Sequence, residues 1–273
     1  MVKLSGAIGV TILKKYIENK VKKIYIFADN HNKDKYCSYN FSTGDNIKKF
    51  LNQKISKSNQ ILLEEVERME SQELKELWSE NKHTIELKNL YLDNPNKIIP
   101  IDIRQYLYIV SWELLDSSEE RDKNITLSNY LQNFDKFFNL EDVIPSLKTK
   151  LGNIKFKKTG VSNYFKKLKN IYTKIKTNNT HSQKVIELKE KNKNILKLID
   201  DLASKIMDWY TVVCIFNTYN PTYLHAGLYH TSNIINLLVN NFQFNIYYKN
   251  GDTDIHSIID SDSCVEISET DYY

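Results

Sequence analysis

The chain has 273 residues, 41% of them hydrophobic, with 38 Lys and Arg against 34 Asp and Glu for a formal net charge of +4. That composition can fill one large core, or a core carrying an inserted subdomain, and it excludes a disordered chain. No apolar run approaches the roughly 20 residues a bilayer requires, which excludes a transmembrane helix.

Residues 8–20 set Ile12, Leu13, Tyr16, Ile17 and Val21 along one face, and that spacing predicts a first helix. The apolar Leu4–Leu13 run after Lys3 ends in Lys14 and Lys15 without a small-residue cleavage site, so it reads as part of that helix and not as a targeting signal. A β-rich run, Lys23–His31, follows and leaves Asp29 and His31 just past its end. The polar loop Asn32–Gly44 is long enough to cover a site. A helix is expected over Asp45–Lys57, with Ile47, Phe50, Leu51 and Ile55 inward, then a strand over Gln60–Val66 that carries Glu64 and Glu65 at its far end. Glu67–Leu90 is charged with helical spacing, and Lys97–Arg104 is a third strand ending in Asp102 and Arg104. Pro100 demotes that strand to an edge. Gln105–Leu115 returns as a helix.

From Ser117 to Leu202 strand signals fade, and a stripe from Val185 to Trp209 predicts a long helix leading back to a last β–α–β unit. That unit is a buried strand (Tyr223–Ala226), a turn at Gly227, a helix (Thr231–Asn241) and a strand (Gln243–Tyr248). The acidic, serine-rich tail after Asp252 reads as mobile. The expected architecture is α/β: a small, mostly parallel or mixed sheet flanked by helices, with a large helical insertion. Its parts are a core over 1–116 and 203–250, a lysine-rich insertion over 117–202 and a tail over 251–273. Cys37, Cys214 and Cys264 are odd in number and in no ligand-like pattern, which points to a reducing compartment and a cytoplasmic protein.

The polar residues past each strand form a pattern: Asp29 and His31, Glu64 and Glu65, Asp102 and Arg104, and His225 and His230. If those strands are parallel neighbours, these groups gather at one edge of the sheet, where ligands bind in open α/β folds. Two imidazoles and a carboxylate suit a divalent cation or a water-activating base, and an arginine suits an anionic transition state. Each also has a structural alternative, such as a capping histidine or an Asp102–Arg104 pair. Alternation lets only one of Glu64 and Glu65 point inward from an extended strand. Leu62 would share the face of Glu64 and help to bury it. The chain has no phosphate-binding Gly-x-x-x-x-Gly-Lys, no Gly-x-Gly-x-x-Gly and no Gly-x-Ser-x-Gly.

Ile24-Tyr-Ile-Phe-Ala-Asp-Asn-His31, Leu62-Leu-Glu-Glu65 and Ala226-Gly-Leu-Tyr-His230-Thr resemble the superfamily of erythromycin esterases, ChaN-like proteins and the TraB/TIKI group. Ala28 stands in place of the glycine of the first motif, and the helical middle matches none of it. The resemblance implies a polar site at the strand ends that hydrolyses a peptide or ester bond. His31, Glu64 or Glu65, and His230 would be its motif residues, and Arg104 would be a looser match. It implies either a divalent ion (Mn, Co or Zn) on His31, Glu64 and His230, with Asp29 and His225 as alternates, or metal-free water activation by histidine. A catalytically inactive binding module of the same fold is the alternative. The substrate is not named by any of these residues.

A second class of function rests on charge. Lys148–Lys197 holds fifteen lysines against two glutamates, with Tyr164, Phe165 and Tyr172 among them. Such a stretch suits non-specific contact with a polyanion, the lysines displacing counterions and the aromatics stacking on bases. The abundance of lysine throughout the chain and the absence of arginine from this stretch favour instead a helical insertion with its lysines facing water.

Overall fold

The computed structural model describes residues 1–30, 37, 45–55, 57, 59–66, 82–108, 124–139, 160–179, 182–257 and 264–273. They fall into two compact units, Met1–Asp102 with Thr218–Tyr273, and Ile103–Asn217.

The first unit opens with β1 (Val2–Ser5), β2 (Gly9–Ile17), β3 (Lys20–Asp29), β4 (Asp45–Asn46), α1 (Ile47–Ile55), β5 (Gln60–Val66), α2 (Lys82–Asp93) and β6 (Ile98–Asp102). The second contains a 3-10 turn (Arg104–Tyr106), then α3 (Leu127–Tyr130), α4 (Gln132–Phe138), α5 (Val161–Thr177), α6 (Val185–Lys191) and α7 (Lys193–Phe216). The chain then returns to the first unit through β7 (Thr222–Gly227), α8 (Leu228–Asn240), β8 (Asn245–Gly251), β9 (Cys264–Ile267) and α9 (Glu269–Tyr272). Six strands form a mixed sheet in the order β6-β5-β7-β3-β2-β8, and three form a smaller sheet, β4-β1-β9. Strands β3, β7, β5 and β6 run parallel, whereas β2 is antiparallel to both β3 and β8. Pro100 sits on β6, the edge strand, where its missing N–H leaves no gap inside the ladder.

Residues 24–28 of β3 and 222–227 of β7 are all buried, which requires cover on both faces and explains the unbroken apolar run Ile24–Ala28. One face packs Tyr25, Phe27 and Tyr223 with Phe50 and Leu51 of α1 and Leu87 and Leu90 of α2. Tyr25 and Tyr223, register partners on β3 and β7, stack with centroids 4.5 Å apart. The second unit has its own aromatic core, in which Phe165 lies 5.0 Å from Trp209 and Phe138 stacks on Tyr172.

Four sequence expectations need correction. The predicted helix over 8–20 is the strand β2, which pairs with β3 from Gly9↔Ala28 to Ile17↔Lys20. The hairpin turns at Glu18 (φ 47°) and Asn19 (φ 65°), two successive left-handed residues whose twist suits a two-residue hairpin. The spacing of Ile12, Tyr16 and Ile17 imitates a helix, but β-branched residues pair better in a sheet, and the partner strand decides. The long helix predicted from Val185 breaks at Asn192 (φ −150°) into α6 and α7.

The acidic tail, expected to be mobile, supplies β9 and α9, with Val265, Ile267 and Tyr272 buried in the core. Asp271 receives Lys23 Nζ and, at 2.8 Å, the Tyr25 hydroxyl, while Lys54 Nζ donates to the Asp271 and Tyr272 carbonyls. Burial alone would raise the Asp271 carboxyl. The hydrogen bonds from Lys23, Ser268 and Tyr25 and the Lys23 charge outweigh it and hold the group below its usual value. Burial, joined by the positive charge of Lys57, brings Lys54 down to about 8.

Cys37 and Cys264 form a disulfide, their Cα atoms 4.8 Å apart across a separation of 227 residues, and Cys214 is free and buried. The expectation of three unpaired thiols is corrected by the fold, because β9 carries Cys264 back beside β1. Disulfides persist in oxidising compartments, so the cysteine argument for a reducing one falls. Alkylation of the denatured, unreduced protein should modify Cys214 alone, and prior reduction should raise the count to three. Cys264→Ser should cost about 2–5 kcal/mol of stability by equilibrium denaturation. Three labels before reduction would remove the bridge from the fold.

Lys22 is 1% exposed, yet its Nζ reaches three acceptors: Thr218 O at 3.0 Å, Asn220 O at 2.6 Å and Thr222 Oγ1 at 2.7 Å. Thr222 passes the chain on to Gln60 Oε1 at 2.8 Å, so one lysine ties β3, β7 and β5 together. Burial pulls its pKa down to about 7, while the three acceptors match the three donors of an ammonium. The folded state thus binds this proton more weakly than the unfolded chain. Between pH 7 and the ordinary lysine value the unfolded state holds the extra proton, and stability rises with pH. The stability of the wild type relative to Lys22→Met should therefore climb from pH 7 to about 9.5, below the range where unfolded tyrosines ionise. Tyr25, Tyr108 and Tyr172 are held protonated in the fold, chiefly by burial, and act in the opposite sense above that range. A flat or falling difference would mean that Lys22 keeps its charge throughout.

Candidate functional site

The carboxyl ends of β3, β7 and β5 lie side by side, with Phe27 and Leu63 flanking His225 and Asp29 beside Gly227. The chain crosses this edge on its way from β1 to β2, and Ile8 N donates to Ala28 O at 2.8 Å. His225 is 4% exposed, and its Nε2 lies 3.2 Å from Gly6 O. A carbonyl can only accept, so this nitrogen carries the proton of that bond. Two glycines permit the crossing. A Cβ on Gly9 would fall 1.7 Å from Asp252 O, and one on Gly251 (φ 70°) would fall 2.3 Å from Ile8 O.

Gly227 also caps α8, which places His230 in the first helical turn, 6% exposed. Glu64 divides its carboxylate between these two elements. Its Oε2 accepts from Gly227 N at 2.6 Å, and its Oε1 lies 3.7 Å from His230 Nε2. A helix N-terminus presents unsatisfied N–H groups and the positive end of the dipole, so a carboxylate is favoured there. The Tyr229 ring meets the His230 ring edge to face at 5.3 Å and limits its rotation. Beside the pair is a cavity of about 20 Å³, lined by Asp29, Glu64, Glu65 and His225 with an apolar wall that includes Leu63 and Leu87. That is room for about one water.

The structure thus sets Asp29, Glu64, Glu65 and His225 around one cavity and Glu64 against His230. His31 lies outside the described residues. Arg104 lies in the 3-10 turn after β6 and belongs to the second unit. Among the described residues no group of three or more His, Cys, Asp and Glu is arranged to hold a metal ion. Of the ligands implied by the resemblance, Glu64 and His230 come together, and no step below runs through an ion.

No family model, characterised protein or solved structure matches the chain. The resemblance to the esterase and TraB/TIKI superfamily rests on the motif residues alone.

Two participants escaped the sequence reading, the Gly6 carbonyl and the Gly227 N–H, because both are backbone atoms. The glycines of Gly6-Ala-Ile-Gly9 were the available signal for a close backbone approach. The Gly227–Glu64 bond makes a separable prediction. Glu64→Ala should remove the charged acceptor from the helix start and cost about 1–3 kcal/mol. Glu64→Gln should retain most of that stability, since its amide oxygen still accepts. Equal losses in thermal denaturation would show that the charge, and not the hydrogen bond, holds the edge together.

Proposed function

We propose that the β3–β7–β5 edge is a hydrolytic site acting on a peptide or ester bond. The observation that carries this reading is the Glu64 carboxylate, fixed by the Gly227 N–H and set 3.7 Å from His230 Nε2. His230 takes the proton of a water as that water attacks the substrate carbonyl, and returns it to the leaving group. The imidazolium formed in between is stabilised by Glu64, whose second oxygen is already held and need not reorganise. Asp29, Glu65 and His225 surround the adjoining cavity and orient what enters it. Arg104 has no part in this scheme. The disulfide favours an oxidising compartment for the reaction over the cytoplasm.

A binding module of the same architecture is the second reading. It is favoured by the low side-chain exposure of His230 (7%) and Glu64 (12%), which also suits a strap joining β5 to α8. Initial rates on a panel of p-nitrophenyl esters and fluorogenic peptides, with and without added Mn, Co or Zn, decide between them. The wild type should turn over one class. His230→Ala should lose roughly 10²- to 10⁴-fold in kcat/KM, and Glu64→Gln should fall between the two. No turnover on any substrate, or a folded His230→Ala that keeps the wild-type rate, would leave the binding module.

A further inference from the structure

The helix α5 carries five lysines, Lys166, Lys167, Lys169, Lys174 and Lys176, and no acidic residue in seventeen positions. Lys166 and Lys169 lie one turn apart, where like charges repel, and no acidic side chain on α5 offsets any of the five. Two of the five are engaged within the unit. Lys176 pairs with Asp135 at 2.7 Å, and Lys169 donates to Phe138 O at 3.1 Å. Lys166, Lys167 and Lys174 are exposed, with no hydrogen bond or ion pair among the described residues.

We infer that this outer face of α5 docks on the phosphate backbone of duplex nucleic acid. Lys167 and Lys174 lie two turns apart, about 10 Å along the axis, or roughly three base steps of a duplex strand. Two of the three aromatics that the sequence places among the lysines are committed elsewhere. Phe165 packs on Phe137, Phe138 and Trp209, and Tyr172 is 4% exposed against Phe134 and Phe138. Base stacking by Phe165 and Tyr172 is therefore closed, which corrects the sequence expectation for these two rings. Lysine also lacks the fork that reads a guanine edge, so the contact is to backbone and independent of sequence. A helix lying in a membrane surface would need its apolar face, but Val161, Leu168, Tyr172 and Ile175 are buried in the unit. This surface is independent of the hydrolytic site.

Anisotropy titrations of the full chain with two unrelated labelled 20-base-pair duplexes, from 50 to 200 mM salt, test it. The wild type should bind both within about twofold. Lys166→Gln, Lys167→Gln and Lys174→Gln combined should lower affinity at least tenfold at low salt and reduce the log–log salt slope by about 2–3. A control with the same charge change, Lys20→Gln, Lys97→Gln and Lys249→Gln combined, and His230→Ala should both bind as the wild type. Absence of duplex binding by the wild type, an unaffected α5 variant, or an equal loss in the charge control would overturn the inference. So would retention on phosphatidylserine vesicles without duplex binding, which would assign the face to a membrane.

Discussion

Burial of β3 and β7 on both faces is the constraint from which the rest of the first unit follows. With hydrogen-bonded neighbours on either side and helices or chain over each face, these strands tolerate apolar side chains along their length. Polar chemistry is therefore displaced to their ends, Lys22 and Thr222 at one and the candidate site at the other. His225 tests the rule, being buried one row below that edge. It is accommodated because the chain bends over it at Gly6 and offers a carbonyl. The edge thus has a fixed partner for His225 and an adjacent cavity for something else.

The lysine-rich composition has a structural use as well as a surface one. Lys22 ties the linker into β7 to β3, and Lys54 and Lys23 hold the last helical turn on the sheet. In each case a flexible stem delivers up to three donors to oxygens that a sheet edge or helix end leaves unmatched. The cost is desolvation of the ammonium, visible in the lowered values of Lys22 and Lys54. The C-terminal segment is consequently part of the core through polar contacts that hydropathy does not register.

How much of this was legible follows from where the deciding partner lies. Strands β3, β5, β6 and β7 are recognisable because their own residues state the burial, in runs such as Ile24–Ala28 and Ile61–Leu63. Strand β2 was not, since Ile12, Tyr16 and Ile17 fit both periods and the decision came from pairing across the Glu18–Asn19 turn. The tail was misread for the same reason. Val265 and Ile267 alternate over only four residues, and their burial depends on β1 and on Lys54, more than 200 positions away. The Cys37–Cys264 bridge depends on that misread tail, so it could not be seen before it. For the site, Glu64 and His230 were legible as strand-end and helix-start residues. Their relation through Gly227 N–H was not.

The pair Glu64–Glu65 shows how a local irregularity resolves what the alternation rule alone cannot. In a regular strand adjacent side chains point to opposite faces, so only one of the two could reach a common site. Yet both line the same cavity. The pairing of β5 with β6 gives the reason: Leu63 aligns with Pro100 but Val66 with Asp102, so three steps on β5 are matched by two on β6. The extra residue is a bulge, which bends the strand and re-aims a side chain. The irregularity falls at Glu64 and Glu65, so strict alternation does not govern this end of β5. Glu64 is committed to the helix start and to His230, and Glu65 is a lining residue of the adjoining cavity.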